Sequence, residues 1–160
     1  MIEAPEIFAR IYARHGHRCP MSTLGGRFGL AALAALSSPD AELTAVYHNR
    51  TCALDGIGLT TGCSEENGSL KVTTEGRHVL EIFFSSGEVV EVGLSDNAMQ
   101  IAGEYRYLSN ELEKGWESLS DQERSEREQQ KELALDRILP ALWQAPDEDL
   151  LTIRVGKGAL

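Results

Sequence analysis

The sequence predicts an α+β fold, in which an α-β-α-β-β-β core builds a mixed four-stranded sheet and further helices follow it. Three observations carry this. Apolar residues recur at helical spacing on either side of position 20. Short β-branched and aromatic runs bounded by turn residues occupy 43–48 and then 69–94. After Ser95 the pattern becomes helical and strongly polar, which puts helices after the strands rather than between them. The chain therefore divides at about residue 95, into a core domain over 1–95 and a helical extension over 96–160 that packs on the core or on a partner subunit.

Pro5 to Arg14 predicts a short amphipathic helix, with Ile7, Phe8, Ile11 and Tyr12 on one face. A second helix is expected from about Met21 to Leu36, apolar through Leu24, Phe28, Leu33 and Leu36 and ended by Ser37-Ser38-Pro39-Asp40. Gly25, Gly26 and Gly29 lower its intrinsic helicity, so close approach of another backbone or a ligand is the expected compensation. Leu43 to His48 reads as a strand, and Cys52 to Cys63 as a short helix closing at Gly62. A turn at Glu65-Glu66-Asn67-Gly68 leads to strands over 69–74, 78–84 and 88–94, with Glu75-Gly76-Arg77 and Ser85-Ser86-Gly87-Glu88 expected as hairpin turns. Asp96 to Lys114 reads as a helix, and Ser120-Asp121-Gln122-Glu123 as a capping box that starts another. Leu135, Ile138, Leu139, Leu142 and Trp143 restore an apolar stripe that Pro140 must kink or restart. Pro146-Asp147 turns the chain into a final short strand, Leu151 to Val155.

Composition excludes some classes of function. The net charge of −10 opposes binding to a phosphate backbone, whose footprint is basic, so no nucleic-acid partner is expected. The longest apolar run, Leu30 to Leu36, is too short to cross a bilayer, so no membrane partner is expected either. The acidic start Met1-Ile2-Glu3-Ala4-Pro5-Glu6 does not read as a secretory leader. Three cysteines, an odd number, suit a reducing cytoplasmic setting with free or metal-bound thiols.

The chemistry concentrates in Arg14-His15-Gly16-His17-Arg18-Cys19-Pro20, which holds two of the four histidines and one of the three cysteines. In an extended backbone His15, His17 and Cys19 project from one face. Pro20 keeps its predecessor out of the helical region and is itself a good first helical residue. Cys19 is thereby delivered to a helix N-terminus, where the dipole and free N–H groups favour a thiolate. With Cys52, Asp55 and Cys63 this makes a candidate metal site for zinc, with iron or nickel as alternatives. The spacing matches no zinc finger, and buried structural cysteines with capping histidines are the plainer alternative. Cys52 and Cys63 would stand about 16 Å apart on one continuous helix, so both reach one metal only if the chain turns back at Gly62. Asp55 is a ligand, a carboxylate partner to a histidine ligand, or a helix-start charge. Cys19 is equally a candidate nucleophile, because low-pKa thiolates need the same surroundings. Ser64, Thr60 and Thr61 read as local backbone partners. His48 and Tyr47 face either the site or an edge, and His78 is expected to play no part. The charge-rich 111–132 stretch reads as a solvated helix face, whose flanking apolar stripes would suit a homodimer interface.

His-Gly-His-x-Cys-Pro, the glycine-rich run Leu24-Gly25-Gly26-Arg27-Phe28-Gly29-Leu30, then Cys52-x-x-Asp55 and Thr61-Gly62-Cys63 in that order, resemble the FmdE family of formylmethanofuran dehydrogenase proteins, found in methanogens and many anaerobic bacteria. The resemblance covers roughly Phe8 to Leu94. It implies a metal-binding α+β protein, with zinc the usual assumption and the His/Cys cluster as the site. Some members add a C-terminal cysteine-rich zinc ribbon; with no cysteine after Cys63 this chain resembles a core-only member. Members typically follow the second cysteine with Thr-x-Gly-Lys-Gly-Asn-Leu, where this chain has Ser64-Glu65-Glu66-Asn67-Gly68-Ser69-Leu70 and no lysine. Members also often carry a glutamate ahead of the first cysteine and Asp-Ala-x-Gln after it, where this chain has Val46-Tyr47-His48 and Asp55-Gly56-Ile57-Gly58. The resemblance thus supports metal binding more than dehydrogenase chemistry. Three functions are expected to compete: a metal-binding accessory to molybdenum or tungsten oxidoreductase subunits in anaerobic metabolism, a stand-alone metal- or cysteine-dependent hydrolase or transferase, and a structural dimerising module.

Overall fold

A computed structural model describes residues 2–36 and 42–157. The expected helix end at Ser37 to Asp40 lies outside the described residues. The chain forms α1 (Glu6–His15), α2 (Pro20–Ala34), β1 (Leu43–Tyr47), α3 (Ala53–Thr61), β2 (Leu70–Val72), β3 (Val79–Phe84), β4 (Glu88–Leu94), α4 (Asp96–Glu113), a 3-10 turn (Trp116–Ser118), α5 (Asp121–Gln144), α6 (Asp147–Leu150) and β5 (Leu151–Lys157).

The fold is α+β with a mixed sheet, but the sheet has five strands, not four, in the order β2-β1-β3-β4-β5. The fifth is the C-terminal strand, which pairs antiparallel with β4 from Leu94↔Leu151 to Glu88↔Lys157 and so covers an edge that would otherwise be open. The expected hairpin at 75–77 is also replaced. β2 runs parallel to β1 (Ala45↔Leu70), while β3 pairs antiparallel with the other side of β1 (Ala45↔Ile82). The chain after β2 therefore crosses β1 instead of folding straight back. The helical crossover α3 explains this, since it sets β2 down parallel beside its predecessor. The second turn is a true hairpin, with Gly87 at φ 92°.

Cross-strand register puts Ala45, Tyr47, Leu80, Ile82, Val90 and Val92 on one face of the sheet, all buried. Against them pack Ile11 of α1, Leu24 and Phe28 of α2, Ile57 of α3, and Leu135, Leu139 and Leu142 of α5, in one continuous core. The segment beyond residue 95 thus contributes both a strand and a core helix. α5 begins at the expected capping box, in which Ser120 Oγ accepts from Glu123 N at 3.1 Å while the Glu123 carboxylate accepts from Ser120 N at 3.2 Å. It passes Pro140 without restarting. Its apolar stripe is held on two sides by neighbours, which offsets the hydrogen bond that the proline removes.

The glycines of α2 have the expected use. A Cβ on Gly25 would collide with the carbonyl oxygen of Ala53, and one on Gly56 would collide with the carbonyl of Ser22 and the amide of Gly26. Helices α2 and α3 therefore meet backbone to backbone, which draws their N-termini, each beginning at a cysteine, together.

Candidate metal centre

The arm between α1 and α2 is a turn rather than a strand. His15 is the last residue of α1, and Gly16 closes that helix in the left-handed region at φ 98°, its N–H donating to Tyr12 O at 2.8 Å. Extended backbone is regained at Cys19, at φ −154° and ψ 153°, as the residue ahead of Pro20 requires. The turn, not strand alternation, is what brings the histidines together, with ring centroids 4.4 Å apart.

One ring nitrogen of His15, one of His17 and Cys19 Sγ all lie within 4.8 Å of one another. His15 Nδ1 sits 2.8 Å from Asp55 Oδ2, a carboxylate that Arg14 also approaches, at 3.6 Å. With that N–H donating to the carboxylate, Nε2 carries the lone pair. It is buried and has no hydrogen-bond partner among the described residues. A buried, unpaired acceptor costs on the order of 1–3 kcal/mol, so a site of this kind calls for a cation or donor to meet it. His17 is exposed at the surface of the turn; partial desolvation, and then His15 beside it, hold its imidazole below the usual range, toward the neutral form that ligates. Cys19 Sγ accepts from Ser22 N at 3.3 Å as the N-cap of α2. The donor set of two imidazoles and a thiol, one imidazole backed by a carboxylate, fits a divalent borderline metal.

The other sequence-level candidates fall in different places. Cys52 caps the N-terminus of α3 and lines the same cleft as Cys19. Although the residue as a whole is exposed, desolvation of its sulphur and then the neighbouring Cys19 thiol push its pKa up. Asp55, three residues on, takes the role of histidine partner. Cys63 is not in the group. The nine residues of α3 separate it from Cys52, and it is buried against the sheet with Sγ 4.0 Å from Leu43 O. His48 is not in the group and is held between two carboxylates, Glu75 at 2.7 Å and Glu81. Thr60 and Thr61 return hydrogen bonds to their own helix, to Gly56 O at 2.8 Å and Ile57 O at 2.6 Å.

Sequence reasoning missed the residues that fix the arm. Arg18, between the histidine and the cysteine, binds Asp136 at 2.8 Å and also Glu132, both on α5. Arg27, inside the glycine run, is buried and donates to the last carbonyls of α5, Leu142 O at 2.6 Å and Ala145 O at 2.7 Å, and to Asp147 at 2.8 Å. From Trp143 a hydrogen-bond chain runs to the Tyr12 hydroxyl (2.9 Å), to Thr23 Oγ1 (2.5 Å) and to Cys19 O (2.8 Å). The signal was present as arginines set in otherwise apolar or ligand-rich runs, but their partners lie more than 100 residues away.

Beside the cluster opens a cleft of about 570 Å³, walled by the start of α2, the 49–52 loop and one face of α4. Tyr105, pushed up to about 12 by burial and by the carboxylates around it, faces this cleft as a protonated phenol. His78, expected to play no part, lines it too, and its Nδ1 is buried without a partner among the described residues.

An α+β core that carries a His/Cys cluster on the turn into a glycine-rich helix defines a class of small proteins with a metal-type donor set. The sequence matches the family described as FmdE, molybdenum formylmethanofuran dehydrogenase operon, over residues 14–152, and the chain belongs to that family. Among solved structures it is similar to a tungsten formylmethanofuran dehydrogenase FmdE-like protein from Syntrophus aciditrophicus, with 27% identity and a TM-score of 0.59, over 95% of this chain and 71% of that one. It is also 32% identical over 75 residues to a protein of Archaeoglobus fulgidus described as a "Probable S-adenosyl-L-methionine-binding protein". That match takes in 42% of this chain, which spans only 20% of that relative's length.

Proposed function

We propose that the protein binds one divalent transition metal, zinc by preference, through His15, His17 and Cys19. Cys52 stands next to the site as a fourth donor or as the edge of an open position. The observation that carries the reading is the buried, unpartnered Nε2 of His15 on a ring whose Nδ1 is fixed by Asp55. That is the arrangement by which proteins set the tautomer and raise the basicity of a histidine ligand. The descriptions of the family and of the Syntrophus relative, which name molybdenum and tungsten formylmethanofuran dehydrogenase, support a place beside such oxidoreductase systems; the role we propose there is that of a metal-binding accessory protein acting in the cytoplasm. Among the described residues no helix is long and apolar enough to cross a membrane.

Elemental analysis of anaerobically purified protein tests the reading. About one zinc per chain is expected in the wild type and in Cys63→Ala, and a large loss in His15→Ala and Cys19→Ala. A wild-type chain without metal, refolded in zinc and still without it, overturns the proposal.

A second reading, a metal-dependent hydrolase or transferase, is favoured by one observation, the open cleft against Cys19 and Cys52. A metal with an exchangeable position facing that cleft can present a bound water to a substrate. Zinc-dependent cleavage of a small ester or amide, lost in Cys19→Ala, would support it.

A further inference from the structure

The cleft beside the cluster differs in charge from the rest of the molecule. The chain has 25 acidic residues among 160 and a net charge of −10, yet among the described residues no aspartate or glutamate lines this cleft. Two arginines do, Arg50 and Arg106. Arg50 is engaged, in a two-pronged pair with Glu65 at 2.9 and 3.1 Å. Arg106 has no hydrogen bond or ion pair with any described residue. Between them Met21, Met99 and Ala102 give an apolar stretch of wall, beside the uncharged polar residues Asn49, Thr51, Ser109 and Asn110. The volume lies in the range of pockets that take small organic ligands.

We propose that this cleft binds a small organic carboxylate, with the free guanidinium of Arg106 meeting its charge and the methionine-lined walls taking its carbon body. An arginine is suited to a planar two-oxygen anion, because its fork of N–H donors matches carboxylate geometry. A charge-selective cleft in a protein of opposite overall sign also disfavours cations, which the acidic exterior would otherwise attract. His78 and the protonated Tyr105 phenol also line the cleft and supply neutral polar groups for a second polar group of the ligand. Burial lowers the His78 pKa, so that imidazole is a neutral partner rather than a second cation. For the chemistry at the floor the proposal rests on the metal centre described above; for binding it does not.

Phenylbutyrate and its neutral amide, phenylbutyramide, are suitable probes, titrated by calorimetry into zinc-loaded and metal-free protein. The expected result is that the acid binds about tenfold or more tightly than the amide in both forms, equivalent to about 1.4 kcal/mol or more. The preference should collapse in Arg106→Gln and persist in Arg10→Gln, a surface arginine outside the cleft. No preference, or one that survives Arg106→Gln, overturns the proposal. A preference confined to zinc-loaded protein and indifferent to Arg106 would make the carboxylate a metal ligand; it overturns the proposal and leaves the metal centre standing. An Arg106-dependent preference in protein that never binds zinc upholds the proposal and removes the metal reading.

Discussion

Gly25→Ala tests the packing that assembles the site. An alanine at a helical glycine normally gains about 1 kcal/mol from reduced unfolded-state freedom. At Gly25 the added Cβ would collide with Ala53 O and lie 2.7 Å from Ala53 Cα and 2.8 Å from its carbonyl carbon. All three are backbone atoms of α3, so no rotamer change relieves them, and the two helices must separate. Overpacking of this kind costs about 1–3 kcal/mol and reaches the upper end when backbone has to move. The expected net loss is about 2 kcal/mol, a fall in Tm of about 4–8 °C for a chain of this size. Gly103 supplies the control, since it is helical in α4 and a Cβ there meets nothing within 4 Å. Gly103→Ala should raise stability by up to about 1 kcal/mol. Urea denaturation followed by circular dichroism measures both. Equal, stabilising effects of the two alanines would refute the claim that α2 and α3 are locked through backbone contact. If the claim holds, Gly25→Ala also moves Cys52 away from Cys19, so metal affinity should fall with stability.

Other expectations follow from the same geometry. Arg27→Met leaves the Leu142 and Ala145 carbonyls without their donor and should cost about 2–4 kcal/mol in denaturant melts, whereas a loss below about 0.5 kcal/mol would show that water replaces it. Asp55→Asn should keep the fold but weaken zinc binding about 10- to 100-fold in a chelator competition, by losing the partner that orients His15. His78 and His17 both have lowered pKa values from burial, so the unfolded chain binds more protons than the native one once pH drops below about 6.5. Stability of the metal-free protein should thus rise with pH through that region and level off above it, with a shallower slope in His78→Gln; an unchanged slope would contradict the assignment. Tyr107 and Leu133 are 68% and 62% exposed on the α4–α5 hairpin. If they seat a second copy of the chain, the wild type should elute as a dimer and Tyr107→Glu with Leu133→Glu as a monomer.

The local elements were legible because their signals are local. Cap residues and glycines marked the helix ends at Cys19, Gly62 and Ser120, and an apolar run bounded by turn residues marked β3. Pairing was less legible. The 75–77 turn has hairpin composition, yet β2 lies on the far side of β1, because strand order depends on which way the α3 crossover runs and not on the turn residues. The fifth strand went uncounted in the sheet for the same reason, since its partner, β4, lies about 60 residues earlier. Within the site, His15, His17 and Cys19 were readable from spacing, although a left-handed Gly16, rather than an extended arm, joins them. The separation of Cys63 from the group could be foreseen only as an alternative, because it turns on where the chain goes after Gly62. The anchoring roles of Arg18 and Arg27 were not readable, since each is defined by carboxylates and carbonyls of α5 brought close only by the tertiary fold.

Cobalt substitution reads the central claim most directly, since a thiolate bound to Co(II) gives a charge-transfer absorption that imidazole and carboxylate ligands do not. Metal-free protein titrated anaerobically with Co(II) should develop this band to a stoichiometry of about one per chain, unchanged in Cys63→Ser, weakened in Cys19→Ser and lost when Cys52→Ser is combined with it. A band that survives Cys19→Ser and disappears in Cys63→Ser, or no band at any cobalt concentration, would contradict a metal centre built on the His15–Cys19 turn.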